Sequence, residues 1–145
     1  MKKVINSFFD KEKKEILKIL SELNINKIKN FELLCRESIK AIKNGNKILF
    51  YGNGGSSADS QHLATELKVK YKHKRKALPA IALTNDVSSI TAIGNDFNFI
   101  DIFSRQIESL GKKGDIAIAL TTSGNSKNLK AAAISAKKLK LKTFC

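Results

Sequence analysis

The chain has 145 residues, 42% apolar and 28% charged, with 27 Lys and Arg against 13 Asp and Glu for a net charge of +14. A domain of this length buries about 70% of the surface its unfolded chain exposes, so its core needs no disulfide or metal staple. The composition excludes a disordered chain, and no apolar run approaches the about 18 residues of a membrane span. Cys35 and Cys145 have no CxxC spacing and no apolar leader follows Met1-Lys2-Lys3, so the expected compartment is the reducing cytoplasm. Residues 4–22 place Val4, Phe8, Phe9, Ile16, Leu17, Leu20 and Leu23 at helical spacings, and this predicts an amphipathic helix. Asn24 and Asn26 interrupt the pattern, and Ile28, Phe31, Leu34, Cys35, Ile39 and Ile42 resume it until Asn44-Gly45 closes a second helix. Residues 47–51 form an apolar strand that enters the glycine loop Gly52 to Ser57, followed by a helix over 58–71. Pro79 to Leu83 reads as a buried strand, 88–93 as a short helix, Gly94-Asn95-Asp96 as a turn, and 99–110 as a helix capped by Gly111. Asp115 to Leu120 is a third strand that runs into the polar loop Thr121 to Ser126. A helix over 127–139 and a fourth strand over 141–145 complete the pattern.

Strands alternating with helices at this spacing imply parallel pairing through right-handed crossovers. The expected fold class is therefore α/β, an open parallel sheet with helices on both faces, in one domain. Residues 1–44 form a helical pair and 45–145 the sandwich core. In such folds ligands bind at the carboxyl ends of the strands, where both small-residue loops fall.

The charge suggests nucleic acid, since Lys and Arg neutralise phosphates. Three of the 27 cations are Arg (Arg36, Arg75, Arg105), however, and the bidentate fork that reads bases and phosphates belongs to Arg. A solvated lysine surface is the expectation, with no nucleic-acid partner. The run Lys72-His73-Lys74-Arg75-Lys76 reads as a basic loop able to steer an anion.

The loop Thr121 to Ser126 sets hydroxyls around Gly124 at a helix start, where backbone N–H groups, the helix dipole and rotatable hydroxyls converge on a phosphate. The same residues also suit a plain helix cap. In the first loop, Gly54 and Gly55 permit close backbone approach, and Asn53, Ser56 and Ser57 offer hydrogen bonds to hydroxyls. His62 and Glu66 lie four apart on the following helix. They can supply two corners of a divalent metal site, set a carboxylate base beside an imidazole, or form a weak surface pair. Asn95 and Asp96 either turn toward the same cleft or satisfy their own backbone.

In order along the chain, Tyr51-Gly52-Asn53-Gly54-Gly55-Ser56, the helix carrying Asp59, His62 and Glu66-Leu67, Ala92 to Phe97 with Asp101 to Arg105, and Thr122-Ser123-Gly124-Asn125-Ser126 resemble the phosphoheptose isomerases. These are sugar isomerase (SIS) domain enzymes that interconvert sedoheptulose 7-phosphate and D-glycero-D-manno-heptose 7-phosphate through an enediolate, for bacterial surface polysaccharide. The resemblance implies that Asn53, Gly54, Gly55 and Ser56 contact the sugar and that Asn95 and Asp96 bind its hydroxyls. It implies that Thr121, Thr122, Ser123 and Ser126 hold the phosphate, with Thr121 standing where a Ser is usual. His62 and Glu66 become zinc ligands, Glu66 also the base and a substrate contact, in a cytoplasmic homotetramer with no membrane or nucleic-acid partner.

The family pattern runs on past the fourth strand to a final strand, a final helix, and a Gln and a His that complete the zinc site. The expectation is thus a sheet short of its last strand and helix, and a zinc site lacking two ligands. The competing expectation is a non-catalytic SIS module that binds sugar phosphate or a protein partner, as the initiator-associating relatives do.

Overall fold

The computed structural model describes residues 1–24 and 29–145, and its contacts divide the chain into two compact units, Met1–Leu33 and Leu34–Cys145. In the first unit, α1 (Lys2–Glu22) runs for 21 residues with no buried residue, so Phe8, Phe9, Leu17 and Leu20 are all exposed. It ends where the sequence predicts, at an extended Leu23. The expected interruption at Asn26 and restart at Ile28 lie outside the described residues. Helix α2 (Lys29–Lys43) begins in this unit and continues into the second.

The second unit is a four-stranded sheet of β1 (Ile48–Gly52), β2 (Ala80–Ala82), β3 (Ile116–Leu120) and β4 (Lys142–Phe144), all parallel, in the order β2-β1-β3-β4. Between the strands come α3 (Gly55–Lys68), α4 (Val87–Asp96), a 3-10 turn (Phe99–Asp101), α5 (Ser104–Leu110) and α6 (Lys127–Lys138). Successive strand side chains point to opposite faces, so β1 and β3 must be apolar throughout to serve a sheet covered on both sides. Leu49, Tyr51, Ala117 and Ala119 face one buried cluster with Phe103 and Ile107 from around α5 and Leu129, Ala132 and Ala136 from α6. Ile48, Phe50, Ile116 and Ile118 face the other, with Ala41 of α2 and Ala64 of α3. The strand order runs one way from β1 to β2 and the other way from β3 to β4, and a fixed crossover hand then sends α3 and α6 to opposite faces. The seam between β3 and α6 is small on both sides, Ala117 and Ala119 against Ala132 and Ala136.

Several boundaries differ from the sequence reading. Helix α3 starts at Gly55 rather than residue 58 because Gly54, at φ +56°, turns the chain directly out of β1. It ends at Lys68 rather than 71, where Arg75 donates to the carbonyls of Glu66 (2.6 Å) and Leu67 (2.8 Å) and takes up acceptors a helix end leaves open. The expected turn at Gly94-Asn95-Asp96 is the last turn of α4. That helix is started by Asp86, whose carboxylate accepts from Ser89 N at 3.0 Å, and held by Ile90 and Ile93 against the core. The single helix expected over 99–110 is split: Asn98 caps the 3-10 turn, and the buried Ile102 and Phe103 lead into α5. β2 keeps three of the five residues expected, with ladder bonds continuing at each end from Ile48 N to Pro79 O (3.0 Å) and from Leu83 N to Phe50 O (2.9 Å). Proline has no N–H to donate, and β2 lies at an edge of the sheet where this is tolerated.

At the opposite end from the loops, Asp115 is 1% exposed and accepts from Lys47 Nζ (2.6 Å), Lys47 N (3.0 Å), Lys112 N (2.9 Å) and Asn46 Nδ2 (3.2 Å). Burial by itself raises this carboxyl, but the Lys47 ammonium and the converging N–H donors outweigh it and hold the pKa below the ordinary value. The starts of β1 and β3 are thereby pinned together, and this fixes the register that brings Gly52 opposite Leu120.

Candidate active site

β1 and β3 are neighbours whose crossovers leave in opposite directions, so their carboxyl ends border the crevice where open α/β sheets bind ligands. The close approach there rests on Gly52. A Cβ at this position would lie 2.8 Å from Leu120 O, Ser56 Cβ and Ser56 O, so a side chain would push α3 off β3. Two helices begin at this edge, α3 after Gly54 and α6 after Ser126, and in neither does the N-cap side chain bond the first turn. The Leu129 N–H of α6 is taken by Asn128 Oδ1 at 3.0 Å, and the positive ends of the two helix dipoles lie at this edge, an arrangement suited to an anion.

The hydroxyl loop is already shaped from within. Thr121 Oγ1 accepts from Gly124 N at 3.1 Å, Ser123 Oγ accepts from Asn125 N at 3.2 Å, and Lys130 Nζ donates to Asn125 Oδ1 at 3.2 Å. Gly124 takes φ +65°, a conformation side chains rarely adopt. Thr122 and Ser123 are exposed, and Thr121 and Ser126 half-buried. Two of the loop's hydroxyls, those of Thr121 and Ser123, thus hold its own backbone rather than cap α6, while Thr122 stays exposed.

Ser56, Asp59 and His62 of α3 line one cleft together with Thr121 and Thr122. Glu66 sits one turn beyond His62, with its Oε1 3.8 Å from His62 Nε2; the histidine is 68% exposed and the glutamate 29%. The two side chains thus lie side by side on the helix that borders the hydroxyl loop. Asn95 and Asp96 are exposed at the end of α4, where Asn95 Nδ2 donates to Asp96 Oδ1 at 2.8 Å, and they are not among the residues lining that cleft. The segment carrying His73 is exposed.

One residue of this edge escaped the sequence reading. Asn128, 3% exposed in the first turn of α6, exchanges two hydrogen bonds with Asn53: Asn53 Nδ2 to Asn128 Oδ1 at 3.0 Å, and Asn128 Nδ2 to Asn53 Oδ1 at 2.8 Å. The signal available was a poor helix former placed inside a helix, which is unremarkable so close to the cap.

The SIS domain family matches residues 9–144. A phosphoheptose isomerase of Campylobacter jejuni is 49% identical over 135 residues, covering 91% of this chain and 70% of that one. The chain belongs to the phosphoheptose isomerase family. A phosphoheptose isomerase of Campylobacter concisus is 52% identical over 116 residues, 80% of this chain and 61% of that one. Among solved structures, the phosphoheptose isomerase of Francisella tularensis superposes with a TM-score of 0.82 at 35% identity, covering 96% of this chain and 71% of that one. The phosphoheptose isomerase of Neisseria gonorrhoeae gives 0.81 at 32% identity, covering 98% and 72%. The chain spans between half and two thirds of the length of several of its curated phosphoheptose isomerase relatives. The expected three-layer fold is that of these phosphoheptose isomerases.

Proposed function

We propose that the chain serves the isomerisation of sedoheptulose 7-phosphate to D-glycero-D-manno-heptose 7-phosphate, toward the heptose of bacterial surface polysaccharide. The observation that carries this reading is the shared cleft: Ser56, Asp59 and His62 of α3 line the same opening as Thr121 and Thr122, and Glu66, outside that lining, stands one turn on from His62 with its Oε1 3.8 Å from His62 Nε2. A phosphate on Thr121, Thr122, Ser123, Ser126 and the α6 N-terminus would leave the sugar chain to run toward Asn53, Gly54, Gly55 and Ser56. Asn95 and Asp96 would join its hydroxyls. Glu66 then takes a proton from C1 of the ketose as the C1–C2 enediolate forms and O2 gains a proton. Return of a proton to C2, with loss of the O1 proton, yields the aldehyde, so atoms balance without a redox partner.

A zinc ion would be held in part by His62 Nε2 and the Glu66 carboxylate, whose 3.8 Å separation lets both reach one centre. Among the described residues no group of three His, Cys, Asp or Glu gathers to hold a metal, so these two would supply part of a ligand set. When bound, the ion would polarise the sugar carbonyl. Assembly as a homotetramer fits the exposed apolar positions of α1, and a cytoplasmic location fits two free, exposed cysteines. No helix among the described residues is long and apolar enough to cross a membrane.

The test is aldose formation from sedoheptulose 7-phosphate, followed by NMR, for the chain and for Glu66→Gln, with and without added zinc. Loss of a general base costs about a hundredfold or more in rate. Turnover indifferent to Glu66→Gln would overturn the assignment, and binding of the sugar phosphate with no turnover would turn it into a non-catalytic module.

A further inference from the structure

We infer that Asn128 is a positioning residue that decides which way Asn53 presents its amide to the sugar; this rests on the isomerase reading above. One group in this exchange cannot reverse its role. The backbone N–H of Leu129 donates to Asn128 Oδ1 at 3.0 Å, and a backbone N–H is a donor only. Asn128 must therefore direct its oxygen toward that N–H. Its Nδ2 is then committed to Asn53 Oδ1 at 2.8 Å, while Asn128 Oδ1 also accepts from Asn53 Nδ2 at 3.0 Å. Turning either amide over would set nitrogen against nitrogen and oxygen against oxygen. Orientation thus passes from the α6 backbone through Asn128 to Asn53.

The two residues differ in how firmly they are held. Asn128 is buried on a helix whose Leu129, Ala132 and Ala136 belong to the core, whereas Asn53 is half-buried between Gly52 and Gly54 in a turn with little packing of its own. The firm partner is on α6 and the partner that faces substrate is on the β1 loop. After the exchange Asn53 retains one Nδ2–H and one Oδ1 lone pair with no other hydrogen bond among the described residues. A side-by-side donor and acceptor in a set order matches a sugar hydroxyl, which both donates and accepts. Inorganic phosphate, bound through the α6 loop, has no need of it.

The experiment compares sedoheptulose 7-phosphate with inorganic phosphate by calorimetry and reads the ratio of their dissociation constants in the wild-type chain, Asn53→Ala, Asn128→Ala and the double variant. Asn128→Asp is a fifth arm that preserves the acceptor for Leu129 N–H should Asn128→Ala not fold, and its added charge disfavours both anions, so the ratio reduces its effect. The expected result is a preference for the sugar phosphate that falls about tenfold in each Asn128 variant, with the double variant no worse than Asn53→Ala alone. The wild-type spectrum gives an independent reading. The Asn53 side-chain amide signals should move on adding sugar phosphate, stay in place on adding phosphate, and be displaced in the free protein by Asn128→Asp. A preference that survives in the Asn128 variants and disappears in Asn53→Ala would overturn the positioning role and leave the isomerase reading intact. A wild-type chain with no preference for the sugar phosphate would overturn both.

Discussion

Gly52 shows how one missing side chain can set a site. Its Cβ position is occupied at 2.8 Å by a carbonyl of β3 and by two atoms of Ser56, so Gly52→Ala forces α3 and β3 apart at the mouth of the crevice. The variant should lose about 1–3 kcal/mol in urea unfolding, and it should weaken phosphate binding as well, since both crevice loops hang on that contact. Asp115 acts from the far end of the same two strands. Its folded pKa is depressed, so its contribution to stability is fully present above the carboxyl's unfolded pKa and is lost as pH falls through the folded one. Asp115→Asn is accordingly expected to cost on the order of 2 kcal/mol at pH 7. That difference should narrow below about pH 4 as the wild-type carboxyl protonates; denaturant titrations at a series of pH values measure it.

At the scale of elements, the proposed anion site rests on the helix N-termini. Thr121→Val removes the acceptor for Gly124 N–H, which is also a hydroxyl of the proposed phosphate site, so phosphate affinity should drop about tenfold or more while thermal stability changes little. Calorimetry with inorganic phosphate alone checks it. The elements themselves were legible where apolar runs are long: β1 and β3 declare themselves because both of their faces are buried, and α6 because its apolar residues recur at helical spacing behind a polar cap. Boundaries were less legible where a tertiary contact decides them. Arg75, nine residues along from Glu66, stops α3, and nothing local to Lys68 announces it. Likewise Gly94 looks like a turn in isolation, and the packing of Ile90 and Ile93 carries the helix past it. Of the candidate site, the hydroxyl loop stands out by its composition at a helix start, and His62 and Glu66 by a four-residue spacing that sets them on one helix face. The Asn53–Asn128 exchange joins residues 75 positions apart, and only the sheet register brings them together.

For the molecule as a whole, the charge of +14 acts as a field rather than a site. It should speed the encounter with an anionic sugar phosphate, and the association rate measured by stopped flow should fall as salt rises. A rate independent of ionic strength would show that the lysines contribute solubility alone. The apolar positions of α1 make a second prediction at this scale. Phe8→Asp with Leu20→Asp should shift the sedimentation coefficient toward that of a single chain if α1 is the surface through which copies associate.

The alanine seam between β3 and α6 has a consequence of its own. Ala117 and Ala119 of β3 share one buried cluster with Ala132 and Ala136 of α6, so small side chains fill the space between this helix and the sheet. The height of its first turn above the strand ends is thus gauged by methyl groups. Such a spacer can err in only one direction. Any enlargement would lift the helix, tilt its first turn and carry Ser126 and Asn128 away from the β1 loop. On the phosphate reading proposed above, anion affinity would then depend on the small size of this seam as well as on the hydroxyls of the loop.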